Sequence, residues 1–236
     1  MRRYLVVDDN RDLAENLAEI LVDEGAEAAV ASSGQEALEQ VRRIRFDALV
    51  TDMRMPAMGG ADLVHAVRRL DPELPALVIT GYAQDQALAA ARREGLVAVL
   101  EKPVPLARLL ALLGAARRDG LVAVVEDNPH QADNLAEALA ARGFAAVTAA
   151  SVIETDRLGP VVPCCAIVDL RVPGGPDGEA MRRLAERFPG LPMLVVTAHA
   201  VDPPLPHRGV FRKPFDPGAL LAAVESLHAG RAATPP

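Results

Sequence analysis

Residues 5–10 read LVVDDN, and residues 123–128 read AVVEDN. Each stretch is a short apolar run that stops on two adjacent carboxylates and an asparagine. Like charges about 4 Å apart repel by roughly 4 kcal/mol at an effective dielectric near 20. A buried strand that ends on Asp8 and Asp9 therefore either leaves both in water or holds them around something positive. The residues that recur with this stretch decide between the two.

Three further segments recur in the same order. ALVTDMRMP (48–56) returns as AIVDLRVP (166–173), aligning Asp52 with Asp169. ALVITGYA (76–83) returns as MLVVTAHA (193–200), aligning Thr80 with Thr197, and VLEKPV (99–104) returns as VFRKPF (210–215), aligning Lys102 with Lys213. Ordered recurrence at a period of about 115 residues is the mark of a tandem duplication. The expected division is a first copy over 1–118, a second over 119–229 and a tail over 230–236.

Within the first copy, apolar runs alternate with amphipathic stretches. Strands are expected near 3–8, 27–31, 47–52, 76–80 and 96–100, and helices near 11–24, 34–44, 59–70, 84–94 and 105–117. The first helix shows Leu13, Leu17, Ile20 and Leu21 on one stripe and is closed by Gly25. Short, nearly all-apolar strands separated by helices predict a parallel sheet covered on both faces, an α/β doubly wound architecture. The fifth helix, LARLLALLGAARR, is leucine-rich nearly all round, and only Arg117 to Gly120 separate it from the second copy. So short a join favours a fixed packing of the copies over a flexible one.

Ligands of such sheets bind outside the carboxyl ends of the strands. Asp8, Asp9, Asp52, Thr80 and Lys102 all fall at those ends. Clustered carboxylates suit a hard divalent cation, Mg2+ above all. Asp52, alone at its strand end, has the chemistry of a carboxylate nucleophile that forms an acyl phosphate. The cation, Lys102 and the Thr80 hydroxyl would neutralise and hydrogen-bond the phosphoryl oxygens, which is most of what phosphoryl transfer requires.

With an acidic pair, an Asp in a DxxxP context, a Thr after apolar residues and a Lys-Pro, both halves resemble the receiver domain of two-component response regulators. The resemblance implies two flavodoxin-like (βα)5 domains with five-stranded parallel sheets of order 2-1-3-4-5. It implies that Asp52 and Asp169 are phosphoacceptors, that Thr80 and Thr197 are the switch hydroxyls, and that Lys102 and Lys213 hold the phosphoryl group. It also implies Asp9 and Asp127 as direct Mg2+ ligands, Asp8 and Glu126 as ligands through water, and the backbone carbonyls of Arg54 and Arg171 as the rest of the shell. The Lys102–Pro103 and Lys213–Pro214 bonds are expected to be cis on the same ground.

Two departures stand out. The family's aromatic three residues before the lysine is replaced by Val99 and Val210, with Tyr82 or Phe211 as possible substitutes. In the second copy only 15 residues separate Thr197 from Lys213, against 21 between Thr80 and Lys102, and Pro203, Pro204 and Pro206 lie among them. Proline opposes helix, so the second copy is expected to lack its fourth helix. His199, two residues past Thr197, is placed to tune access of water to a phosphoryl group, as are Arg54 and Arg171. His65 lies in a helix without the pattern of a phosphorylated kinase histidine.

Composition narrows the classes. The net charge of −7 leaves no basic surplus to neutralise nucleic acid. No apolar run reaches membrane-span length, and the N-terminus meets charge too early for a signal peptide. Cys164 and Cys165 read as small core residues in a reducing compartment, which points to the cytoplasm. The expected protein is a stand-alone tandem receiver rather than a true enzyme. Its partners are a histidine kinase or histidine phosphotransfer protein and a downstream protein, with the fifth helix either packed between the copies or forming a homodimer. Rival readings are a receiver fragment of a hybrid kinase or diguanylate cyclase, and a pseudo-receiver scaffold confined to the second copy. A Mg2+ phosphohydrolase is disfavoured because its paired aspartates are separated by one residue. A dinucleotide enzyme is disfavoured because no glycine-rich turn follows either first strand.

Overall fold

The structure, a computed structural model, describes residues 1–81, 91–92, 94–156, 158, 161–199 and 202–232. The first sheet is built from β1 (Arg3–Val7), β2 (Glu27–Ala31), β3 (Ala48–Asp52), β4 (Ala76–Thr80) and β5 (Ala98–Glu101). Its order is β2-β1-β3-β4-β5 and every pairing is parallel. The second sheet repeats the pattern with β6 (Leu121–Val125), β7 (Ala145–Ala149), β8 (Cys165–Asp169), β9 (Met193–Thr197) and β10 (Gly209–Arg212). Its order, β10-β9-β8-β6-β7, is the same arrangement read from the other edge. The chain is thus two doubly wound α/β sheets in tandem.

The helices of the first copy are α1 (Arg11–Asp23), α2 (Gly34–Arg43), α3 (Gly60–Leu70) and α4 (Leu106–Ala115). Those of the second are α5 (Pro129–Ala140), α6 (Val152–Thr155), α7 (Glu179–Arg187) and α8 (Pro217–Ala232). β1 shows why both faces of its sheet are covered. Successive strand residues point to opposite faces: Tyr4 and Val6 join Leu17 and Leu21 of α1 and Leu109 and Leu113 of α4. Leu5 and Val7 join Leu38 of α2 and Leu63 and Val67 of α3.

The sequence expected a fourth helix at 84–94; apart from Ala91 and Arg92, which are helical, and Glu94, it lies outside the described residues. In the second copy the described residues between β9 and β10 contain no helix, as the prolines there require. One shortening was not foreseen: α6 is only four residues long. At the C-terminus, α8 continues to Ala232, into the stretch expected to be a tail. No described helix is long and apolar enough to cross a membrane.

The join between the copies is clamped from both sides. Arg118 donates to Asp71 Oδ1 at 2.6 Å and to the Phe46 carbonyl. Asp119 Oδ1 lies 2.8 Å from His228 Nε2. The Arg117 backbone N–H donates to the Gly143 carbonyl at 2.9 Å, and its Nε donates to the Arg142 carbonyl at 2.9 Å. Leu112 and Ala116 of the first copy belong to one apolar cluster with Leu121, Ala140 and Ala145 of the second. The two copies are therefore in direct contact at the join, through both hydrogen bonds and apolar side chains.

Candidate functional site

The parallel register carries each distinctive polar residue to the same edge. Val7 pairs with Thr51, Asp52 with Ile79, and Thr80 with Glu101, so the residues that follow β1, end β3 and β4, and follow β5 come together. The second copy repeats this with Val125 opposite Val168, Asp169 opposite Val196 and Thr197 opposite Arg212.

A lysine closes each constellation. Lys102 Nζ lies 2.6 Å from Asp52 Oδ1 and 3.1 Å from Asp8 Oδ2. Lys213 Nζ lies 2.7 Å from Asp169 Oδ2 and 2.7 Å from Glu126 Oε2. Burial alone would lower both lysine pKa values, but hydrogen bonds and Coulombic attraction from the two carboxylates outweigh it and raise them. Both lysines are therefore cations at neutral pH, which answers the question raised by the acidic pair: a positive group does sit beside it.

Backbone donors fix the carboxylates. Asp8 Oδ1 accepts from the Asn10 N–H at 2.9 Å, and Glu126 Oε1 accepts from the Asn128 N–H at 3.2 Å. Asp52 Oδ2 accepts from the Arg54 N–H at 2.6 Å, and Asp169 Oδ1 accepts from the Arg171 N–H at 2.9 Å. Asn10 and Asn128 then cap α1 and α5, so the acidic pair is tied to a helix start in each copy. Gly60 lies where any Cβ would sit 2.3 Å from the Asp52 carbonyl oxygen, so α3 can approach the end of β3 only with glycine there.

Asp8, Asp52, Glu126, Thr80 and Thr197 are buried, while Asp9 and Asp127 are exposed. Carboxylate oxygens of Glu126, Asp127 and Asp169 all lie within 4.8 Å of one another. Among the described residues this is the one group gathered so tightly; Asp8, Asp9 and Asp52 offer the same donor types without meeting that distance. The Thr197 hydroxyl accepts from the His199 N–H at 3.1 Å. Both Lys-Pro bonds are cis.

Some side chains fall differently from their sequence reading. Phe211 packs edge-on to Phe215 against the core, whereas Val210, the next residue on β10, is exposed. Phe211 therefore lies on the opposite strand face and does not take the place of an aromatic at 210. Tyr82 lies outside the described residues. His65 pairs with Glu94 at 2.9 Å on the surface. Sequence reasoning missed Asp177, which holds Arg171 Nε at 2.8 Å while Arg171 Nη1 lies 3.1 Å from His199 Nε2. Its only signal was its position in the loop after β8.

Comparison with known proteins now bears on this geometry. A family description, response regulator receiver domain, matches residues 4–114. A response regulator receiver protein of Anaeromyxobacter sp. (strain Fw109-5) is 68% identical over 234 residues, covering 99% of this chain and 98% of that protein. The chain belongs to the response regulator receiver family. An uncharacterised 14.6 kDa protein of Leptolyngbya boryana is 40% identical over 111 residues, 46% of this chain and 85% of that protein. A CheY-like receiver domain from Methanospirillum hungatei matches structurally at 29% identity, with a TM-score of 0.45, covering 47% of this chain and 88% of that one. The chain thus carries the receiver fold and sequence of two-component response regulators.

Proposed function

We propose that this receiver protein takes a phosphoryl group from a phosphohistidine donor onto Asp52 and onto Asp169. The observation that carries the reading is the lysine of each copy, bridging an acidic residue after the first strand to the aspartate that ends the third. In the transfer, a carboxylate oxygen of Asp52 attacks phosphorus. The O–P bond forms as the P–N bond to the donor imidazole breaks, and the departing nitrogen takes up a proton. The Lys102 ammonium draws a phosphoryl oxygen toward itself, and the Thr80 hydroxyl donates to another. Lys213 and Thr197 do the same at Asp169.

The donor set fits Mg2+. Carboxylate oxygens clustered within 4.8 Å are the ligands a hard divalent cation takes. Asp127 and Asp169, with Glu126 through water and the Arg171 carbonyl, would hold it in the second copy. Asp9 and Asp52, with Asp8 and the Arg54 carbonyl, would hold it in the first. Bound there, Mg2+ would neutralise the charge that builds on the phosphoryl oxygens.

The copies divide at 1–118 and 119–229, and each acts as a phosphoacceptor. Completeness of the second constellation favours this over a scaffold role for that copy. Output passes by protein contact to a downstream partner, and two buried free cysteines suit the reducing cytoplasm. The test is intact mass after incubation with Mg2+ and a small phosphodonor. Unmodified protein should gain two phosphoryl groups, Asp52→Ala and Asp169→Ala one each, and the double variant none. No gain in the unmodified protein, with the donor shown competent on another receiver, contradicts the reading.

A further inference from the structure

The two sheets meet edge to edge. β5 is an edge strand of the first and β7 an edge strand of the second. Leu96, just before β5, forms an antiparallel bridge to Ala146 on β7, with the Ala146 N–H donating to the Leu96 carbonyl at 3.2 Å. Ion pairs flank the bridge: Arg92 to Asp133 at 3.5 Å and Arg108 to Glu137 at 3.2 Å. Asp133 and Glu137 both lie on α5, the helix that begins directly after Glu126, Asp127 and its cap Asn128.

Each side of this junction runs straight into a carboxylate site. Toward the first, β5 leads in four residues to Lys102, whose backbone N–H donates to the Thr80 carbonyl at 2.8 Å. Toward the second, β7 ends at Ala149, whose carbonyl accepts the Glu126 N–H at 3.0 Å. The interface is thus built on the two strands whose ends hold a lysine of one site and an acid of the other.

Resting on the phosphoacceptor reading above, we infer that the two sites are energetically coupled through the β5–β7 junction, with loading of one favouring loading of the other. The sign follows from sterics. Lys102 Nζ stands 2.6 Å from Asp52 Oδ1, and Lys213 Nζ stands 2.7 Å from Asp169 Oδ2. Neither gap admits a tetrahedral group, so loading either aspartate shifts its lysine, and with it the contact that lysine makes to Asp8 or Glu126. The Leu96–Ala146 bridge joins β5 and β7, and the backbone at the ends of those strands is bonded to Thr80 and Glu126 of the two sites. Loading either site therefore strains the junction, and once one site has loosened it the other no longer bears that cost. Coupling of this kind is reciprocal and typically at least about 5-fold.

The probe is beryllium fluoride with Mg2+, a tetrahedral stand-in for an acyl phosphate, applied to the full chain. Loading is read by fluorine NMR and the junction by hydrogen exchange of the Ala146 amide. In an Asp169→Asn chain, loading the first site should speed Ala146 exchange at least about 5-fold. In Arg108→Glu, which sets like charges at the junction, half-loading of the first site should need about 5-fold less beryllium fluoride, and the exchange response should disappear. Loading with unchanged Ala146 exchange and an unchanged midpoint in Arg108→Glu overturns the coupling and leaves the acceptor reading standing. Failure of both sites to load overturns the acceptor reading, and the coupling with it.

Discussion

Lys213 sits between two carboxylates that are themselves nearly out of water, the Glu126 side chain being 3% exposed and that of Asp169 12%. Removing one partner of a buried ion pair strands the other, at about 3–5 kcal/mol. Lys213→Met should therefore lower stability by roughly 3 kcal/mol in urea denaturation without Mg2+. The same contacts set a pH dependence. They raise the Lys213 pKa, so the folded chain holds this proton more tightly than the unfolded one. The contribution is full below the ordinary value of 10.5 and is lost as pH climbs through the raised value. Stability of the unmodified protein should fall along that alkaline limb, and Lys213→Met should flatten it. An unchanged limb in the variant would assign the alkaline loss to other groups. At this scale the sequence was most legible, because Asp, Lys and Thr at strand ends are chemically distinctive and appear twice. Asp177 was not legible, since a loop carboxylate has no periodicity to mark it.

Elements were legible where periodicity was strong. The strands at 27–31 and 76–80 agree with expectation to the residue, and α1 and α2 to within one. Legibility failed where local chemistry ends an element early. α6 stops after Thr155, and the glycine and prolines of DRLGPVVP (156–163) are the signal that a longer helix was not to be expected. Phe211, one of the two possible substitutes for an aromatic at 210, lies on the other face because a one-residue step along a strand reverses it. The starts of α1 and α5 carry function as well as stability. The Asn128 side chain accepts from the His130 and Gln131 N–H groups at 3.0 and 3.2 Å, and its own N–H holds Glu126. Asn128→Ala should cost about 1 kcal/mol in thermal or urea unfolding. Because the Glu126–Asn128 backbone bond survives the substitution, phosphoryl incorporation at Asp169 should persist. Loss of incorporation at full folding would show that the side-chain cap also positions the acidic pair.

The whole molecule was the least legible scale. Duplication, and a join of only Arg117 to Gly120, pointed to fixed packing, but nothing in the pattern said which surfaces would meet. Contacts such as Leu96 with Ala146 use backbone groups, which leave no mark in residue type. Gly143 is the clearest trace. It has φ +81°, and a Cβ there would lie 1.9 Å from the Ala115 carbonyl oxygen of the first copy. Gly190 has φ +80° with nothing near its would-be Cβ. Gly190→Ala should cost about 1–2 kcal/mol from backbone strain alone. Gly143→Ala should cost at least about 1 kcal/mol more, because the copies must also shift apart. Equal losses in urea denaturation would show that the junction yields freely. The central claim is that Asp52 and Asp169 carry acyl phosphates, and reductive trapping tests it most directly. Borohydride converts an aspartyl phosphate to homoserine, so peptide mapping after phosphorylation with Mg2+ and a phosphodonor locates the acceptor. The account predicts homoserine at positions 52 and 169 and nowhere else; phosphoryl groups on any other side chain, with both aspartates recovered intact, would contradict it.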